Sequence, residues 1–141
     1  MSDNLKKARE ILENEGFTFA AFDGKTVLTD DKRGVKPLLD IIDRGKTLGG
    51  FSAADKVVGK AAAFLYVLLG VSEIYADVIS RHALSVLEEH KIPVEYAVLT
   101  EAVKNRAGTG FCPMETAVLD ENSPENALVK IRARIAELSA K

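Results

Sequence analysis

The stretch 51–70, FSAADKVVGKAAAFLYVLLG, joins a charged entrance to the most continuously apolar run of the chain, and its reading decides the fold. It reads as one buried central helix. Ser52 followed three residues later by Asp55 has the spacing of a capping box, in which each side chain satisfies a backbone donor at a helix start. From Ala61 to Leu69 every position is apolar, which leaves no face for water and puts the helix body inside a core or a membrane. Lys60 limits that run to nine residues, about half of the roughly 18 needed to cross a bilayer. A core helix is expected, with Asp55, Lys56, Gly59 and Lys60 on its first turns.

Working outward toward the N-terminus, Asp23-Gly24 separates two β-prone runs, 17–22 and 26–28, and predicts a hairpin of antiparallel strands. Residues 2–15 space Leu5, Ala8, Ile11 and Leu12 among charges as an amphipathic helix, with Gly16 just past its end. The segment RGVKP, 33–37, leads into a short helix that turns Leu38, Leu39, Ile41 and Ile42 inward and stops at Arg44-Gly45. Residues 46–50 read as a brief extended piece.

On the other side, 71–79 is rich in β-branched residues and reads as a buried strand. Ser80 caps a helix over 81–91, and Pro93 starts a strand over 94–98. Strand, helix and strand with short joints imply a right-handed crossover and parallel pairing. Residues 101–106 read as a helical turn, 107–111 as a loop, and Cys112-Pro113-Met114-Glu115 as a helix start. Ser123-Pro124-Glu125 opens a last helix whose stripe is Leu128, Ile131, Ile135 and Leu138. The expected fold is α/β, a three-layer α/β/α sandwich around a mixed sheet, in a single domain over 1–141 with 121–141 as a C-terminal helical extension.

Bulk properties narrow the function. A length of 141 residues suits one domain with a sizeable core. With 19 basic and 21 acidic side chains the net charge is -2, so no overall field points to nucleic acid or to a membrane surface, and anion binding must be local. The single Cys112 allows no internal disulfide, and with no apolar leader it favours a cytoplasmic location. Two histidines and one cysteine are poor material for a metal cage, so neither a metal nor a cofactor is expected.

Three segments, RGVKP at 33–37, SAADKVVGKAAA at 52–63 and RAGTGFCPME at 106–115, together resemble a prokaryotic family of unknown function. It is the domain of unknown function numbered eighteen ninety-three, whose fold is cytidine-deaminase-like. The likeness extends to about Val118, and it implies the strand order as well as the layers. Zinc deaminases of that superfamily place a His or Cys two residues before a catalytic Glu at one helix start and Pro-Cys-x-x-Cys at the next. By the resemblance the first place falls at residues 53–56, which hold no His, Cys or Glu. The second falls at 79–83, where Ser80, Arg81 and His82 replace the cysteines. Zinc deamination is therefore not expected.

The candidate site is built on cations near helix starts. Lys56 and Lys60, one turn apart, would stack on one face and suit a phosphate alongside free backbone amides, or else merely snorkel to solvent. Gly59 between them invites close approach of a backbone or ligand. Arg33 and Lys36 flank Gly34 on a loop, and Arg106 with Gly108, Thr109 and Gly110 has the general form of an anion cradle without matching a phosphate-loop fingerprint. Asp55 is either half of a cap or a ligand group, and Asp77 lies near the carboxyl end of a parallel strand. Cys112, with Glu115 nearby, is either a nucleophile at a helix start or a small buried hydrophobe.

The favoured expectation is a metal-independent binder of a nucleotide, an ADP-ribose-type molecule or another phosphorylated small molecule. The alternative is a transferase or hydrolase using Cys112 or Lys56. A third possibility is a homo-oligomer that assembles through Tyr66, Tyr75 and the last helix.

Overall fold

The computed structural model describes residues 2–103 and 112–139. The hairpin forms as its turn residues dictate. Strands β1 (Phe19–Phe22) and β2 (Val27–Asp30) pair antiparallel, and Asp23 Oδ1 accepts the amides of Lys25 and Thr26. Gly24 takes φ +100°, a conformation costly for any residue with a Cβ. Helix α1 (Asp3–Glu15) begins where the Ser2 hydroxyl accepts the Leu5 amide and ends at Gly16 in the left-handed region. Helix α2 (Lys36–Asp43) carries Pro37 in its first turn, where a missing N–H costs nothing.

The central stretch departs from the sequence reading. Residues 52–58 are not the start of a helix but strand β3 (Ser52–Val58), and only from Lys60 does the chain turn into helix α3 (Lys60–Leu69). The capping box does not exist. Ser52 Oγ donates to Glu73 Oε2 at 2.6 Å, and Asp55 takes its bonds from Tyr66 and Val57. Alanine-rich composition and a cap-like spacing are local preferences of a few tenths of a kcal/mol, roughly, and pairing on both edges of a strand outweighs them. Alanines at 53 and 54 suit that strand because helices cover both of its faces. Residues 46–50 also differ, forming irregular and turn structure instead of an extended piece, with Leu48 buried and its amide on Leu69 O.

Behind α3 come strand β4 (Glu73–Ser80), helix α4 (Arg81–Glu89) and strand β5 (Val94–Thr100), then α5 (Pro113–Ala117) and α6 (Pro124–Ser139). The sheet order is β2-β1-β3-β4-β5. β3 pairs antiparallel with β1 and parallel with β4, and β4 pairs parallel with β5 as the crossover argument required. The sheet is therefore mixed and the class α/β. One face buries Ala20, Ala54 and Tyr75 under α1, while the other buries Phe19, Ala21, Ala53 and Ile74 in the main core with α3. Alternate residues of β1 and β3 thus feed two separate apolar clusters.

Helix α6 sets Ala127 and Ile131 into the main core. Tyr66 and Tyr75 are buried inside the single chain, so neither can belong to an outward assembling face. The exposed large apolar side chains lie elsewhere, among them Val57, Tyr96 and Val98.

Leu65 in α3 is fully buried, whereas Val129 in α6 is largely exposed. Leu65→Ala should lower the unfolding free energy by about 2–5 kcal/mol, and Val129→Ala should change it by less than about 0.5 kcal/mol. Urea denaturation of both variants measures the contrast.

Candidate functional site

The parallel strand β3 ends at Val58, and a cleft of about 170 Å³ opens beside its last residues. Its lining is drawn from separate parts of the chain, among them Arg33 before α2, Asp55 on β3, Gly59 at the start of α3, and Cys112 and Glu115 at α5. Thr18, ahead of β1, and Lys56 complete the polar lining, and Val35, Pro37, Ala62 and Met114 are among the apolar side chains between them. Clefts at the carboxyl ends of parallel strands are where open α/β sheets usually hold ligands.

Glu115 builds one wall. The residue is only 8% exposed, and its carboxylate accepts the backbone amides of Lys60 at 2.7 Å and Ala61 at 2.9 Å. These are orphan donors of the first turn of α3, whose own N-cap, Gly59, offers no side chain. A negative group there also meets the positive end of the helix dipole. A Cβ placed on Gly59 would lie 2.5 Å from Glu115 Cδ, so residue 59 must be glycine for the carboxylate to reach the amides. Lys60, itself buried, sends Nζ to the carbonyl of Leu119 at 2.6 Å, a second tie between α3 and the segment after α5.

Asp55 forms the floor. Its Oδ2 accepts the Tyr66 hydroxyl at 2.7 Å and its Oδ1 accepts the Val57 amide at 3.3 Å. Burial pushes its carboxyl from 3.8 up to about 7, against the downward pull of the Tyr66 hydroxyl and nearby backbone amides. The charge of Asp77 adds slightly to the rise. Burial and the neighbouring Asp55 in turn push the Tyr66 phenol up.

The structure therefore gathers Arg33, Asp55, Lys56, Gly59, Cys112 and Glu115 around one cleft and disperses the other described candidates. Lys56 is a strand residue, not a first-turn helix residue, and its amine pairs with Asp77 at 3.4 Å. It does not stack on Lys60, whose amine is directed to Leu119. Lys36 pairs with Asp40 on its own helix. Arg106, Gly108, Thr109 and Gly110 lie outside the described residues, whose two flanking positions, Val103 and Cys112, both line the cleft and are joined by a 3.0 Å backbone hydrogen bond. Cys112 is half-buried and has no histidine beside it in the cleft; His82 lines a neighbouring cavity with Lys60 and Leu119. Among the described residues no three His, Cys, Asp or Glu side chains are grouped to hold a metal ion, and no helix is long and apolar enough to cross a membrane.

Sequence reasoning missed Thr18 and the Tyr66 partnership of Asp55. It counted Glu115 as a ligand-binding candidate beside Cys112 but missed its role as the cap of α3, because that bond spans more than fifty positions with no local signal.

Comparison with known proteins gives the family of the chain. The model of the domain of unknown function DUF1893 matches residues 7–135. The chain belongs to the DUF1893 family. The match takes in most of α6, beyond the point where the motifs of the sequence run out. A crystal structure of a DUF1893 family protein from Thermotoga maritima is similar at a TM-score of 0.86 and 30% identity, over 97% of this chain and 92% of that one. No curated protein matches the chain.

Gly59→Ala should lower stability by about 1–3 kcal/mol through collision with Glu115. Combined with Glu115→Ala, the loss should be clearly smaller than the sum of the single losses, since the colliding group is gone. A double-mutant cycle by urea denaturation tests this, and strict additivity would contradict it. Asp55 gives a pH prediction of definite sign. Its folded value lies above the unfolded one, so between pH 4 and 7 the folded chain binds the extra proton and stability falls as pH rises through that window. Asp55→Asn should flatten that slope and raise stability above pH 7 by a few kcal/mol at most, at about 1.4 kcal/mol per pKa unit.

Proposed function

We propose that this DUF1893 chain is a zinc-free, cytidine-deaminase-like domain, a three-layer α/β/α sandwich, that binds a nucleotide, an ADP-ribose-type molecule or a related phosphorylated small molecule. The observation that carries the proposal is the single cleft at the end of β3, where Arg33, Asp55, Gly59, Cys112 and Glu115 converge from distant parts of the chain. A wall that is mostly apolar with a few convergent polar groups is the usual make-up of a small-molecule site.

Size and charge assign the parts. At about 170 Å³ the cleft lies below the roughly 300 Å³ of sites that enclose a whole drug-sized ligand. It therefore takes one portion of the molecule, a base or a sugar. Arg33 is exposed and forms no ion pair with a described residue, so its guanidinium is available to a phosphate at the rim. The zinc-free part of the reading is supported by the helix starts themselves. Gly59, Lys60 and Ala61 open α3, and Ser80, Arg81 and His82 open α4, with no cysteine at either.

Thermal-shift measurements with AMP, ADP-ribose and ribose 5-phosphate at millimolar concentration should raise the melting temperature with at least one of them. Arg33→Ala should weaken that binding about tenfold, the value of one charged hydrogen bond of roughly 1.4 kcal/mol. No shift with any of the three would remove the proposal.

A further inference from the structure

Asp55 lies buried in the floor of the cleft, and its hydrogen bonding is incomplete. Tyr66 takes one lone pair of Asp55 Oδ2, and the Val57 amide takes one of Oδ1 through a long bond of 3.3 Å. Each oxygen can therefore make one more bond, and the cleft is the side from which it can come. Its protein partners, the Tyr66 hydroxyl and the backbone amides of Val57 and Lys56, are all neutral donors. Among the described residues no cation is paired with this carboxyl, whereas Lys56, next in sequence, is paired with Asp77.

We infer that Asp55, held as a neutral carboxylic acid, reads a base that presents a ring-nitrogen acceptor beside an exocyclic amino donor, the edge shared by adenine and cytosine. The acid donates its O–H to the ring nitrogen while its other oxygen accepts from the amino group. Two parallel hydrogen bonds then satisfy both partners in a setting where an unmatched polar group is costly. Guanine presents two donors on the corresponding edge and would require the carboxylate instead. This inference rests on the nucleotide reading above and narrows it to a class of base.

Burial that raises the carboxyl to about 7 makes the acid form available near neutrality. The surroundings contain few competitors for the titration. Tyr66 faces Asp55 from α3, and Asp77 acts on it from β4. Arg33, Cys112 and Glu115 share the cleft from the segments around α2 and α5. β1 contributes Phe19 opposite Asp55 and Thr18 at the cleft, neither of which titrates.

Isothermal titration of the full chain with AMP, CMP, GMP and ribose 5-phosphate at pH 6 and pH 8 tests the inference. AMP and CMP should bind about tenfold more tightly at pH 6, following the fraction of acid for a group titrating near 7. Ribose 5-phosphate, which carries the same kind of phosphate, should show no such preference. Asp55→Asn presents a donor and an acceptor at every pH, so it should keep AMP binding and abolish its pH dependence. Asp55→Leu should reduce AMP to the affinity of ribose 5-phosphate. Equal, pH-independent binding of AMP and ribose 5-phosphate would overturn the inference and leave the phosphate-binding reading standing, as would a preference for GMP that grows with pH. Failure of the wild-type chain to bind any of the four would remove both.

Discussion

The carboxylate of Glu115 on the first two amides of α3 is the contact around which the site is arranged. Helix α3 is buried along nearly its whole length, so its orphan N-terminal donors cannot turn to water. Its own N-cap is glycine, and the acceptor must come from another part of the chain. Gly59 is the necessary counterpart, because any side chain there would occupy the space of the carboxylate. The pairing also fixes the short helix α5 against α3, and the amine of Lys60 on Leu119 O holds the chain beyond α5 in the same place. A cleft between β3, α2 and α5 exists because those ties hold its far wall.

Two buried carboxyls thus sit within one small region and experience different surroundings. Glu115 receives two amide donors at the N-terminus of a ten-residue helix. Asp55 receives a phenol and one long amide bond in the floor of an apolar cleft, and burial dominates. One group is bonded to the start of the helix it caps, and the other to a tyrosine on the body of the same helix, beside the cleft it lines. Division of labour between carboxyls by environment alone is a common route to a binding or reactive group.

Particular residues show how far the sequence could be read. Asp23-Gly24, Ser2 with Gly16, Pro37 and Ser80 act within a few positions of themselves, and each marks an element end that the structure contains. The stretch 52–58 misleads for the opposite reason. Its local preferences favour a helix start, and its actual role, a strand between β1 and β4, depends on partners more than twenty positions away on either side. That error carried Lys56 into an imagined helical turn and onto the same face as Lys60. The gathering of Arg33, Gly59 and Cys112 around one cleft was nevertheless legible in outline, because each stands just ahead of a helix.

By itself the sequence determined the α/β class, the hairpin, the parallel crossover and the uniformly apolar body of α3, since these follow from periodicity and turn chemistry over short spans. Only the tertiary structure decided that residues 52–58 form a strand, that Glu115 caps α3 across Gly59, and that Asp55 lies buried against Tyr66. Those outcomes depend on backbone pairing and desolvation between segments far apart in the chain, and neither quantity is defined until the chain has closed on itself.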